Sequence, residues 1–137
     1  MLKGLAVFLI VFAFWTTGSA VESAHNLVGT WEWDQGRGGT ATLAIESIGA
    51  SGGLRGRYVY VDGRGREYRY VLRDDGSTDP GVALGNVAVV DGALSVKITL
   101  YPETSTFDLA LKGGILSGPF HFVPRNRTFP ATFHRKQ

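Results

Sequence analysis

Four tyrosines are spaced to share one surface: Tyr58 and Tyr60 in Arg57-Tyr58-Val59-Tyr60, and Tyr68 and Tyr70 in Glu67-Tyr68-Arg69-Tyr70. In an extended chain, residues two apart point to the same side, so each segment presents two rings together. A tyrosine offers a flat apolar body and a hydroxyl that fixes orientation, a combination suited to lining a small-molecule pocket. Trp33 adds a fifth large ring. Trp33, Tyr58, Tyr60, Tyr68 and Tyr70 are therefore the candidate ligand-binding residues, although opposed aromatics also stabilise a hairpin by about 0.2–1 kcal/mol per pair without any ligand. Arg55, Arg57, Arg69 and Arg73 alternate with the tyrosines and fall on the opposite face. They form a candidate patch for an anionic partner carrying phosphate or carboxylate groups. Asp62, Glu67, Asp74 and Asp75 are near enough in sequence to neutralise them.

Residues arranged for catalysis are scarce. The chain has no cysteine and no G-x-S-x-G, H-E-x-x-H or phosphate-loop pattern, so no nucleophile arrives with a partner at a telling spacing. The histidines are His25, His121 and His134. If Phe122 pairs with Phe129, His134 falls opposite Ser117, about 13 Å from His121, too far for the two to share a metal ion. Asp74-Asp75-Gly76-Ser77-Thr78-Asp79 offers oxygen ligands but lacks the spacing and closing glutamate of a calcium loop, and reads as a polar turn. Inside a barrel, Asn86 and Asp108 are the polar candidates, and alternation points Asp108 outward. The sequence predicts no catalytic residues, no metal and no cofactor.

Alternating strands must position the tyrosines. Short alternating segments are cut by glycine, aspartate and proline, and no helical period follows the amino-terminal twenty residues. The strands expected are Leu27–Trp33, Gly39–Ile48, Leu54–Val61, Glu67–Arg73, Val82–Val90, Ala93–Tyr101, Thr106–Lys112, Ile115–Val123 and Thr128–Arg135. Asp62-Gly63, Asp91-Gly92 and Gly113-Gly114 are hairpin turns, because glycine accepts the backbone angles such turns need. Connections this short make sequence neighbours antiparallel neighbours. The prediction is an all-β, antiparallel up-and-down barrel of eight to nine strands, with an open β-sandwich as the alternative.

One register can be derived. Opposing Tyr58 with Tyr70 and Tyr60 with Tyr68 keeps the rings together and puts Arg57 beside Val71, Val59 beside Arg69, and Arg55 beside Arg73. A slip of one residue would drive arginines into the core. Pro119 and Pro130 lack ladder donors, which predicts a bulge or imperfect seam in the last hairpin. Val82–Val90 is apolar on both faces apart from Asn86. Val87 and Val89, read as outward, suggest a strip covered by a second copy of the chain, so self-association through this strand stands beside the monomer as an expectation.

The ends and composition set the context. Lys3, the apolar run Leu5 to Trp15, and Gly18-Ser19-Ala20 read as a signal peptide over residues 1–20, leaving one domain over 21–137. The apolar run is shorter than the roughly 20 residues a spanning helix needs, and no membrane insertion is expected after cleavage. An export signal without cysteines fits a bacterial periplasm or the medium. Removing Lys3 leaves a net charge of +1, which argues against general nucleic-acid binding.

The spacing leucine-x-glycine-x-aromatic occurs three times: Leu27-Val28-Gly29-Thr30-Trp31, Leu54-Arg55-Gly56-Arg57-Tyr58 and Leu116-Ser117-Gly118-Pro119-Phe120. A glycine between two inward residues lets a strand bend or a neighbour approach, as a curling sheet requires. With Gly29-Thr30-Trp31 in the first strand and the second copy in the third, the chain resembles the avidin and lipocalin superfamily of barrels, which hold one small ligand at the mouth. The resemblance implies that Trp31 packs across the closed end beneath an arginine of the last strand, here Arg135. In avidins an asparagine follows that tryptophan by two residues, and a serine follows the G-x-Y tyrosine by two. Tyr58 matches the tyrosine, but Trp33 and Tyr60 stand at the other two places, so the likeness does not extend to biotin. The expected function is an exported, non-enzymatic barrel holding a small apolar or aromatic ligand at its tyrosine-lined end. The alternative is a cell-envelope interaction protein or inhibitor with a filled interior.

Overall fold

The computed structural model of the protein describes residues 24–136, and the expected export signal lies outside them. Nine strands form one closed barrel. They are β1 (Gly29–Asp34), β2 (Thr40–Ile48), β3 (Leu54–Val61), β4 (Glu67–Arg73), β5 (Val82–Val90), β6 (Ala93–Leu100), β7 (Ser105–Lys112), β8 (Ile115–Phe122) and β9 (Arg127–Arg135). Closure removes the open-sandwich alternative.

Nine strands cannot close with every pair antiparallel. Each antiparallel step reverses direction, so a ring must contain an even number of such steps. The required exception lies between β4 and β5, which run parallel over Val71–Arg73 and Val82–Leu84. The expectation of purely antiparallel neighbours is corrected there: the loop from Asp74 to Gly81 is long enough to return the chain to the level of Val71 before β5 starts. Beyond the end of β4, β5 reaches β3 directly through a Gly53–Asn86 bridge.

The inward face is continuous and apolar. Leu27, Trp31, Leu43, Leu54, Ile98, Phe107, Leu109, Leu116 and Phe133 are all at most 1 % exposed. The leucine-glycine-aromatic spacing explains how large side chains fit beside close strand contacts. At Gly56 a β-carbon would lie 1.9 Å from the Ala44 carbonyl oxygen, and at Gly118 2.0 Å from that of Asp108. Their φ angles, 156° and 159°, are ones that L side chains rarely adopt. Gly56 sits beside the shift between Ile45 and Ser47 in the β2–β3 register. At Gly118 the β7–β8 ladder skips from Phe107–Phe120 to Ala110–Ser117.

The closed end is built around Trp31. A 3-10 turn, His25–Leu27, leads into β1 and brings the Leu27 carbonyl to the indole, whose Nε1 donates to it at 2.9 Å. Arg135 of β9 lies over the ring, its Cζ 4.4 Å from the centroid. Its guanidinium donates to the carbonyls of Val28, at 3.0 Å, and Asn26. Gly29 leaves room for this: a β-carbon there would come within 2.7 Å of Arg135 Nη1. Tryptophan, arginine and the turn backbone thus close the barrel floor as one unit.

Two further expectations are corrected. In β5 the inward residues are Ala83, Gly85 and Val87: Val87 pairs with fully buried Val96 and packs on the core. Val87 therefore does not belong to an outer strip, whereas Val89 is 44 % exposed; Asn86, which is exposed, marks the outward side of the strand at its middle. In the last hairpin Phe129 pairs with Phe120 rather than Phe122, and Pro119 stands opposite Pro130 in an unbroken register. The irregular seam lies one strand earlier, between β7 and β8. His134 consequently faces Ile115, not Ser117.

Candidate functional site

The β3–β4 hairpin has the derived register, with Tyr58 opposite Tyr70 and Tyr60 opposite Tyr68. The rings stack in two pairs, Tyr58 on Tyr70 and Tyr60 on Tyr68, each with centroids 5.9 Å apart. Trp33 reaches the same space from β1, edge-on to Phe107 and Phe120. All five candidate ligand-binding residues line one cavity of about 620 Å³ at the barrel mouth. That volume lies within the roughly 300–1,000 Å³ of small-molecule sites.

The mouth stays open because two seams splay. β1 and β9 pair only at Trp31–Arg135 and Glu32–His134, and β4 meets β5 only beyond Tyr70. The space is rimmed by the β1–β2 turn with Gln35, the β3–β4 turn with Asp62, the β6–β7 turn with Glu103, and the 3-10 turn after β8 with Pro124 and Arg125. Phe120, Phe122 and Phe129 supply the apolar wall opposite the tyrosines.

The hydroxyls have unequal partners. Tyr60 donates to the Gly38 carbonyl at 2.6 Å, and Tyr70 donates to Glu103 Oε1 at 2.8 Å, strapping β4 to the β6–β7 turn. Tyr68, 43 % exposed, stands at the rim. Tyr58 lies deepest at 4 % exposure and borders the cavity. Burial, then the neighbouring Tyr70, pushes the Tyr58 hydroxyl far above its ordinary range. Burial and the hydrogen bond to Glu103 raise Tyr70, and burial raises Tyr60. These hydroxyls are neutral hydrogen-bond groups at physiological pH.

The shift has a testable sign. With its pKa raised by folding, Tyr58 stays protonated in the native barrel while unfolded tyrosine ionises above about pH 10. Its contribution is fully present below that pH and is lost as pH climbs toward the folded value. Urea unfolding should show stability falling above pH ~10, and Tyr58→Phe should make that fall shallower by up to about 1.4 kcal/mol per pH unit. Identical slopes would contradict the burial of this hydroxyl.

The four arginines of the outer face are all matched with acids. Arg55 pairs with Asp74 and Arg57 with Glu46, both at 3.6 Å; Arg69 pairs with Glu67 at 2.8 Å, and Arg73 with Asp75. β3–β4 pairing stops at Gly56–Leu72, so Arg55 turns to Asp74 instead of sitting beside Arg73. Asp62, expected among the neutralising acids, instead accepts the backbone N–H groups of Arg64 and Arg66, each at 2.9 Å. The patch is a solvated ion-paired surface whose pairs contribute little individually.

Among the mouth residues, sequence reading missed Phe120, Phe122 and Phe129 on β8 and β9, and Gln35, Asp62, Glu103 and Arg125. The last four sit in turns, where alternation carries no information. Strand direction is the usable signal: turns after β1, β3, β6 and β8 all emerge at the tyrosine end. Asp108 is exposed and outward as expected, and Asn86 proves to be exposed as well. Among the described residues no group of three or more His, Cys, Asp or Glu side chains could hold a metal ion. Comparison of the chain with protein-family models, with curated proteins and with solved structures finds no match.

Proposed function

We propose that this protein is an exported, non-enzymatic carrier that holds one small, largely apolar or aromatic molecule in the mouth of its barrel. The observation that carries the reading is a 620 Å³ cavity walled by aromatic rings, with the buried Tyr58 at its base. A filled barrel acting only through its surface would not need the space. Apolar rings supply contact area, while the Tyr58 hydroxyl orients the ligand by giving or accepting one hydrogen bond. No covalent step is involved.

The proposed kinship is with the avidin and lipocalin superfamily. It is supported by the closed barrel and by Arg135 lying over Trp31 beside the carbonyls of Asn26 and Val28. The export signal read in residues 1–20 would deliver the carrier to a periplasm or the medium. Native mass spectrometry of the protein purified from its own host tests the function. The expected spectrum shows a non-covalent adduct of small mass that is lost on denaturation; a bare mass from gentle and denaturing conditions alike would count against carriage.

A further inference from the structure

We propose that the mouth selects organic cations: an amine or quaternary ammonium head on an aromatic or apolar body. The inference rests on the carrier reading and names the chemical class that the site takes. Three charged side chains line the cavity, the carboxylates of Asp62 and Glu103 and the guanidinium of Arg125. Of the nine other described carboxylates, five, those of Glu32, Glu46, Glu67, Asp74 and Asp75, each stand within 4 Å of a basic side chain, all on partly exposed surface. Asp62 and Glu103 have no such partner among the described residues. They are held instead by neutral donors, Asp62 by two backbone N–H groups and Glu103 by the Tyr70 hydroxyl. Neither carboxylate is ion-paired beside the ring-lined space, whose lining carries two acids to one base. Arg125, the opposing charge, is exposed on the 3-10 turn after β8.

The aromatic lining favours the same ligand. Ring faces carry negative potential, and a cation within about 6 Å of a tyrosine or tryptophan centroid is attracted, more strongly as water is excluded. Tyr70 couples the two effects, since its hydroxyl holds Glu103 while its ring stacks on Tyr58. A cationic head placed there would meet a carboxylate and ring faces together. The neutral Tyr58 hydroxyl in the cavity lining can accept a hydrogen bond from an ammonium N–H or bond a polar group on the ligand body.

Three meta-substituted phenols separate charge from fit: meta-hydroxyphenyltrimethylammonium, its uncharged isostere meta-tert-butylphenol, and the smaller anion meta-hydroxybenzoate. Calorimetric titration near neutral pH at low ionic strength should find the cation bound at least about tenfold more tightly than its uncharged isostere, with the benzoate weakest. Glu103→Gln keeps an acceptor for the Tyr70 hydroxyl and removes the charge. It should abolish most of the cation's advantage over tert-butylphenol, with an unaltered circular dichroism spectrum confirming the fold. Equal binding of the cation and its isostere would overturn cation selection while leaving the carrier reading standing. Preference for the benzoate, lost in Arg125→Gln, would assign the mouth to anions. If none of the three binds, the cation proposal falls, and the host-derived adduct then decides separately whether the protein is a carrier of something else.

Discussion

Replacing Trp31 with alanine is expected to lower the unfolding free energy by about 3–5 kcal/mol, the range for truncating a large buried aromatic. Trp31 is fully buried. Its loss removes the packing and also the two contacts that organise the floor, the Nε1 bond to Leu27 and the surface on which Arg135 lies. The Leu27 carbonyl would need another donor, and the Arg135 guanidinium would keep only its backbone acceptors. Trp33→Ala is the matched comparison. Trp33 is partly exposed at the mouth, so the same truncation should cost clearly less. Urea unfolding followed by circular dichroism measures both; equal losses would mean that the floor is not the organising centre of the barrel.

Gly118→Ala should be destabilising by about 3 kcal/mol or more, through overpacking combined with an unfavourable backbone angle. Its β-carbon would lie 2.0 Å from the Asp108 carbonyl oxygen, a backbone atom of the neighbouring strand that cannot rotate away. β7 and β8 would have to separate where their ladder is already interrupted. Gly114→Ala isolates the conformational part. Gly114 has φ 77° and nothing within 4 Å of the added carbon, so only about 1–2 kcal/mol is expected. Thermal or urea unfolding of the two variants gives the comparison. A Gly118 variant no worse than the Gly114 variant would show that β8 does not approach β7 so closely.

What was legible in the sequence followed the contrast between faces. In β3–β4, tyrosine and arginine alternate so strictly that a one-residue slip is visibly wrong, and both the register and the shared tyrosine face came out correctly. β5 has almost no contrast. Valine, alanine and leucine fill both faces, so its orientation hung on Asn86, and an asparagine pointing to solvent sets the neighbouring Val87 inward. The β8–β9 register failed for a different reason. Sliding Phe129 from Phe122 to Phe120 is a shift of two residues, which leaves every side chain on its own face and is invisible to alternation. The 3-10 turn over Val123–Arg125 decides it by turning the chain straight after Phe122, so that Arg127 rather than Phe129 comes opposite that residue.

The parallel β4–β5 pair was open to argument as well, because an odd ring must contain one. Its position depended on the length of the Asp74–Gly81 loop. The site divided along the same line. Five of the eight aromatic lining residues, Trp33 and the four tyrosines, were identified, while Phe120, Phe122 and Phe129 of the misregistered β8–β9 hairpin were not; Gln35, Asp62, Glu103 and Arg125 lie in turns, whose side chains are placed only once strand directions around the closed ring are known.

The central claim, that a ligand occupies the mouth and rests on the tyrosine floor, is tested most directly by the indole N–H resonances of Trp31 and Trp33. One tryptophan lines the cavity, and the other is sealed in the closed end beneath Arg135. During titration with meta-hydroxyphenyltrimethylammonium, or with the compound recovered from the host-derived adduct, the account predicts a saturable shift of the Trp33 resonance, an unmoved Trp31 resonance, and loss of the response in Tyr58→Ala protein that remains folded. A saturating response of Trp31 alone, or binding that leaves Trp33 unmoved, would place the ligand elsewhere and contradict it.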